Sequence, residues 1–118
     1  MKIDRVRKLA LSLPEATEEP HFTYSSFRVG GKIFATVPPE ETHMHVFVDD
    51  EQRDLMVSVG PETYEKLWWG KKVVGLRVRL ARAKAADVED LLRAAWRRKA
   101  PKRLLRAHDS ASAARHET

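Results

Sequence analysis

His43 and His45 stand two apart in the alternating run Thr42-His43-Met44-His45-Val46-Phe47-Val48, so a strand there carries both imidazoles on one face. Two imidazoles at that spacing can begin a metal site if His21 or a carboxylate supplies a third ligand. Surface histidines are the plainer reading, and neither a metal nor another cofactor is expected. Ser25 and Ser26 lack the Gly-x-Ser-x-Gly setting that bares a nucleophile. Glu18 and Glu19 lie in an acidic stretch that offers no burial to raise a carboxyl pKa toward the working range of a general acid. Gly30-Gly31-Lys32 is too short for a phosphate loop, and neither a P-loop nor a dinucleotide-binding glycine pattern occurs. No catalytic residue emerges, and the chain reads as a non-enzyme.

Binding chemistry is better represented. If Ile33, Ala35, Val37, Met44, Val46, Val48, Leu76, Val78 and Leu80 face a core, strand alternation puts Lys32, Phe34, His43, His45, Phe47, Arg77 and Arg79 together on the opposite face. Lysine and arginine there would pair with phosphates while Phe34 and Phe47 stack on unpaired bases. An ordinary solvated sheet face, or a dimer surface, shows the same alternation. A second basic run, Arg93, Arg97, Arg98, Lys99, Lys102, Arg103 and Arg106, has no acid within it. The helix dipole accounts for its first members, whereas Lys102, Arg103 and Arg106 lie beyond Pro101. Trp68 and Trp69 precede Gly70-Lys71-Lys72. Adjacent tryptophans in a strand point opposite ways, so one is expected in the core and the other beside the lysines, as a lid or a stacking group.

These residues need elements to position them. Ile3, Val6, Leu9, Ala10 and Leu13 recur at helical spacing until Pro14, and Glu15 to Pro20 reads as an exposed connection. Residues 25–29 and 32–37 form a hairpin about Gly30-Gly31, and residues 42–48 a third strand. Asp49 and Asp50 suit the start of a helix running to about Val57, which Gly60-Pro61 ends. Residues 62–69 fit a helical turn or a strand, and residues 73–80 a half-buried strand. Val88, Leu91, Leu92, Ala95 and Trp96 then mark a helix over 85–99. Strands followed by helices on hairpin-length links predict an α+β, two-layer fold with an antiparallel sheet and helices on one face. One domain over 1–108 and a flexible polar tail over 109–118 complete it.

The chain has 118 residues with net charge +5, 42% hydrophobic and 33% charged, which suits one folded domain with a heavily charged surface. No cysteine is present, which excludes disulfides and thiolate chemistry and leans toward a reducing, cytoplasmic setting. Neither a signal peptide nor a run of roughly 20 apolar residues is found, so no membrane role is expected. The charge is segregated along the chain. Residues 13–65 carry a net of −8 and residues 66–106 a net of +11, a split that suggests one electropositive surface able to recruit polyanions. Cancellation between the halves in the folded chain is the alternative.

Leu13-Pro14-Glu15-Ala16-Thr17-Glu18-Glu19, then Phe27-Arg28-Val29-Gly30-Gly31-Lys32-Ile33-Phe34-Ala35, resembles the opening of the MmcQ/YjbR family. The stretch from Ala94 to Leu104 is similar to the close of its actinobacterial-type branch. The resemblance implies an α-β3-α-β2-α arrangement similar to type III secretion chaperones, and a DNA-binding label that rests largely on fold comparison. Leu67-Trp68-Trp69-Gly70-Lys71-Lys72 stands where many members carry a Pro-Gly-Tyr-His and Asn-Lys-x-His-Trp stretch, so no role transfers there.

Together these features predict a small basic module with low-specificity binding to nucleic acid, DNA in particular, through Lys32, Phe34, Lys71, Lys72, Arg77, Arg79, Lys102 and Arg103. A protein-binding or chaperone-like module acting as a homodimer is the alternative.

Overall fold

The computed structural model describes the backbone of residues 1–117 and the side chains of residues 1–110. In chain order the elements are α1 (Ile3–Leu11), β1 (Thr17–His21), β2 (Tyr24–Val29), β3 (Lys32–Val37), β4 (His43–Val46), α2 (Asp50–Val59), β5 (Tyr64–Trp69), β6 (Lys72–Arg79), α3 (Ala85–Lys99) and α4 (Lys102–Glu117). All strand pairs are antiparallel, in the order β1-β2-β3-β4-β6-β5. Every helix contributes to the same hydrophobic cluster, through Val6 and Ala10 of α1, Met56 and Val57 of α2, the α3 stripe and Leu104 of α4. The result is the predicted two-layer α+β architecture.

Helix α3 forms as its pattern requires. Val88, Leu91, Leu92, Ala95 and Trp96 repeat at helical spacing and are all buried, with Arg97, Arg98 and Lys99 in the last turn where the dipole favours cations. It lies mainly over β3, with α1 packed beside it. The indole of Trp96 is fully buried, and its Nε1–H donates to the Pro14 carbonyl at 3.0 Å, which satisfies the one polar atom that burial would otherwise orphan. Asp49 caps α2 by accepting from the Gln52 N–H at 2.8 Å. Gly30 and Gly31 both take positive φ (57° and 77°), as a two-residue hairpin turn requires.

Three departures from the sequence-based expectation have physical causes. Thr17–His21, expected as a connection, is an edge strand paired along β2. It carries acids and Pro20 instead of an apolar alternation, which an edge strand tolerates because one of its rims needs no ladder. Residues 64–69, left open between helical turn and strand, pair with β6 as β5. In β3 a bulge intervenes: Phe27 opposes Ala35 but Arg28 opposes Ile33, so Phe34 is the extra residue. The bulge sends Phe34 into the core with no exposure, and reverses the parity of the residues before it. Ile33 therefore joins Arg28 on the face away from the helices, and Lys32 joins Val29 on the helix side. The polar tail expected over 109–118 falls mostly on side chains outside those described, and the backbone runs as α4 to Glu117.

Strand β4 pairs with β6 only from His43–Arg79 to Val46–Leu76, after which Phe47 turns off to bond the Phe34 carbonyl at 3.2 Å. Gly75 stands at that departure. A Cβ built on it lies 2.8 Å from the Val46 carbonyl oxygen and 3.1 Å from the Phe47 ring. Because the first neighbour is backbone, Gly75→Ala is expected to destabilise the fold by roughly 1–3 kcal/mol. A urea-unfolding midpoint that falls with an unchanged slope checks this, and an unmoved midpoint contradicts it.

Candidate nucleic-acid interface

The face of the sheet turned from the helices is built by register. His43 opposes Arg79 and His45 opposes Arg77 across β4 and β6, and Glu65 opposes Arg77 across β5. Glu65 Oε1 accepts from Arg77 Nη1 at 2.7 Å, and Glu19 pairs with Arg28 at 3.3 Å. Only Arg79 among these arginines has no ion pair among the described residues. The face is thus charge-balanced over much of its area, and the sequence expectation of a cationic plane is corrected on three points. Phe34 is in the core and offers no stacking surface. Lys32 belongs to the other side of the sheet. Arg77 is committed to a carboxylate from the acidic half.

His45 marks the centre of this face. Tyr24 stands 6.1 Å from it ring to ring, and Ser26 and Thr36, polar residues of the same face, are buried beside it. Burial first, then the Arg77 guanidinium and His43, lowers its pKa to about 4. Its Nε2 is buried and meets no hydrogen-bond partner among the described residues. His43 is lowered for the same leading reason, with Arg77 second. No three side chains of His, Cys, Asp or Glu gather as metal ligands among the described residues.

A different region collects most of the remaining predicted cations. Helix α3, the Gly30-Gly31 turn, the end of β4 and the β5–β6 turn all reach one end of the sheet. Contacts tie them together: Gly30 lies against Pro101, with a built Cβ 3.1 Å from its Cγ, Arg98 Nη1 donates to the Phe47 carbonyl at 2.9 Å, and Phe47 abuts Gly75. Lys32, Lys71, Lys72, Arg98, Lys99 and Lys102 therefore share an end of the molecule, and none of them is ion-paired among the described residues. Arg103 is there too but is clamped, its two terminal nitrogens donating to the Glu15 carboxylate at 2.8 and 3.0 Å. That fork holds the Glu15 carboxyl below its ordinary pKa. Acids at this end are otherwise engaged at Asp49, which caps α2, and Asp50, which pairs with Arg53 at 2.6 Å; Glu51 is free of such a partner.

Trp68 and Trp69 lie on the same end, in the last residues of β5, and are 58% and 79% exposed. The expectation that one of them is core is corrected. Leu67 opposes Gly75 while Trp68 opposes Val73, so Val74 is bulged out of β6, and the hairpin has by then run past the end of β4. Both indoles are left largely in water. An acid-free run from Lys66 to Ala86 around the tandem tryptophans was the signal in the sequence.

A cavity on the other flank is small, about 100 Å³, and lies between α1 and β2 with Ile3, Arg7, Ser25, Phe27 and Glu41 in its wall. That is well below the few hundred Å³ of ordinary ligand sites. Ser25 Oγ donates to Glu18 Oε2, and Arg7 Nε donates to Glu18 Oε1 at 2.7 Å. Burial pushes the Glu18 carboxyl up, but the bonds from Arg7 and Ser25 outweigh it and leave the pKa below the usual carboxylate range. A carboxylate whose pKa is lowered in this way is a weaker base toward the Ser25 hydroxyl that bonds it.

The fold defines a class: small two-layer α+β domains in which one antiparallel sheet carries helices on a single face. The YjbR family model matches residues 11–98, and the chain belongs to the YjbR family. A crystal structure of protein DR2400 from Deinococcus radiodurans, with the family-model domain DUF419, superposes with a TM-score of 0.71 at 20% identity, covering 80% of this chain and 75% of that one. At that identity the likeness concerns the fold. No curated protein matches the chain. Among the described residues no helix is long and apolar enough to cross a membrane.

Because His45 is held neutral in the fold and has an ordinary pKa near 6.5 when unfolded, the unfolded chain binds the extra proton between those values. The contribution of this group to stability is therefore fully present above about pH 6.5 and is lost as pH drops toward 4, by at most about 3 kcal/mol. His45→Gln is expected to flatten the decline between about pH 6.5 and 4.5 in urea-unfolding titrations. An unchanged slope in that window contradicts the burial of the imidazole.

Proposed function

We propose that this YjbR-family chain is a nucleic-acid-binding module, not an enzyme, and that it contacts phosphates with the cationic end of its sheet rather than with the sheet face. The observation that carries this reading is the convergence of Lys32, Lys71, Lys72 and Lys102 at one end without ion-pair partners among the described residues. Exposed ammonium groups with no partner retain their counterions until a polyanion displaces them, and that release drives association. Arg77 and Arg103, both predicted as contacts, spend their charge on Glu65 and Glu15. Arg79 lies seven residues along β6 from Lys72, roughly 23 Å at strand rise, and serves at most as an outlying contact. Nothing in this arrangement reads base edges, so the expected preference is for charge and not sequence.

A second reading has its own support. Leu55 and Val59, one turn apart on α2, are exposed, and β5 is an edge strand with a free rim. A second copy or a protein partner docking there is the homodimer or chaperone-like alternative, and it requires neither salt dependence nor lysine.

Anisotropy titration of labelled DNA at roughly 0.05 and 0.2 M salt separates the two. The proposal expects affinity to fall steeply with salt, and the combined variant Lys71→Glu, Lys72→Glu, Lys102→Glu to bind at least about tenfold more weakly with a shallower salt slope. Arg77→Glu with Arg79→Glu is expected to cost less than about threefold. Salt-independent binding, or no binding, together with a dimer on size-exclusion chromatography, replaces this reading with the second.

A further inference from the structure

The β5–β6 hairpin is built as a projecting ribbon. Its last ladder pair with β4 is at Leu76, so Lys72, Val73 and Gly75 pair with β5 alone and, with Val74 bulged, the ribbon extends roughly 10 Å beyond that pair. At its tip Trp69 opposes Lys72 across the turn Gly70-Lys71, where Gly70 has φ of +59°. Trp68 and Trp69 are adjacent strand residues and point to opposite faces of the ribbon. Each leaves a large apolar ring in water, which costs the fold the burial that one of them would ordinarily supply. From Lys66 to Ala86 no acid interrupts Lys66, Lys71, Lys72, Arg77, Arg79, Arg82 and Lys84.

Three kinds of surface accept exposed indoles beside ammonium groups. A lipid bilayer entered tip first meets Lys71 before either indole and Lys72 level with Trp69, so charges would accompany the ring systems into the apolar layer. A bilayer or protein surface met side on covers one face of the ribbon and leaves the other indole wet. An unpaired nucleic-acid strand does neither: its bases are free to stack on an indole, and its flexible backbone can bring phosphates to the lysines at the ribbon's end. A duplex has the phosphates, but its bases are already stacked on each other and present no open ring face to Trp68 or Trp69.

We infer that the β5–β6 ribbon is a stacking platform that makes the chain select single-stranded over double-stranded nucleic acid, with Trp68 and Trp69 receiving bases and Lys71 and Lys72 the flanking phosphates. This rests on the cationic-end reading and adds a substrate class to it. The lysines supply attraction common to any polyanion. The indoles supply the difference between strands.

The test uses the full chain with a labelled oligothymidine of about 20 nucleotides and a labelled duplex of the same length at matched salt. The expected result is single-strand binding at least tenfold tighter than duplex binding, with quenching of tryptophan emission. Trp96, fully buried, contributes an unquenched background. Trp68→Ala with Trp69→Ala is expected to lower single-strand affinity by about 10- to 100-fold, to the duplex level, with the salt slope unchanged. Lys71→Gln with Lys72→Gln is expected to weaken both substrates and flatten both slopes. Equal affinity for the two forms with unquenched emission overturns the single-strand inference and leaves the polyanion reading standing. Absence of binding to either overturns both. Emission that shifts to the blue on phosphatidylserine vesicles, with no response to oligothymidine, also overturns the inference and assigns the ribbon to a membrane surface. The wild-type quenching decides the matter even if the tryptophan double variant fails to fold.

Discussion

The seating of α3 on β3 is the contact from which the rest of this molecule follows. Trp96 is its anchor, with its ring buried in the common core and its N–H donating to the Pro14 carbonyl between α1 and β1. Burial of a ring this size is worth several kcal/mol, and the hydrogen bond removes the penalty its nitrogen would otherwise impose. A chain of 118 residues has one core to spend this on. Because α3 is held there, its C-terminal cations emerge at the end of the sheet where the Gly30-Gly31 turn and the β5–β6 ribbon also lie. The same seating leaves Arg98 able to reach the Phe47 carbonyl, which ties helix and ribbon base into one unit.

Periodicity made much of this legible. The α3 stripe, the α1 stripe and the alternation of β4 and β6 each follow from one repeating pattern and the hairpin from its two glycines; each stands where it was expected, except that β4, expected over 42–48, leaves the ladder after Val46. Legibility failed where the backbone departs from period. One extra residue at Phe34 inverts everything before it in β3, and alternation carries no sign of a bulge. Strand β1 is held by ladder bonds and not by an apolar face, so its acidic sequence reads as a connection. Trp68 and Trp69 looked half core because strand alternation presumes a neighbouring layer, and the ribbon has outrun it.

Charge was legible as a total and not as a map. Every ion pair among the described residues is made by an arginine, and Glu65–Arg77 and Glu15–Arg103 join the acidic and basic halves of the chain. Part of the segregation seen along the sequence therefore cancels on folding. Geometry explains which part: the planar guanidinium loses little freedom when it forks onto a carboxylate, whereas a lysine on its flexible stem gains little from an exposed pair and stays hydrated. The outcome is a division of labour by residue type. Many of the arginines fasten surface elements, and the lysines retain the free charge.

That division bears on what the free charge can do. Lysines on exposed turns act on a polyanion over about 8 Å at physiological ionic strength, so they attract without orienting. Orientation must come from groups with shape, and at this end of the molecule those are the two indoles. Beside their ribbon the sheet is irregular, since β4 ends at Val46 and Gly75 lets that carbonyl approach where any other side chain would press on it. A longer β4 would have continued the ladder beside Lys72 to Gly75 and removed the free edge of β6 there. The proposed stacking platform thus sits where the sheet is incomplete at one corner, and the residue at that corner is a glycine with no charge or ring of its own.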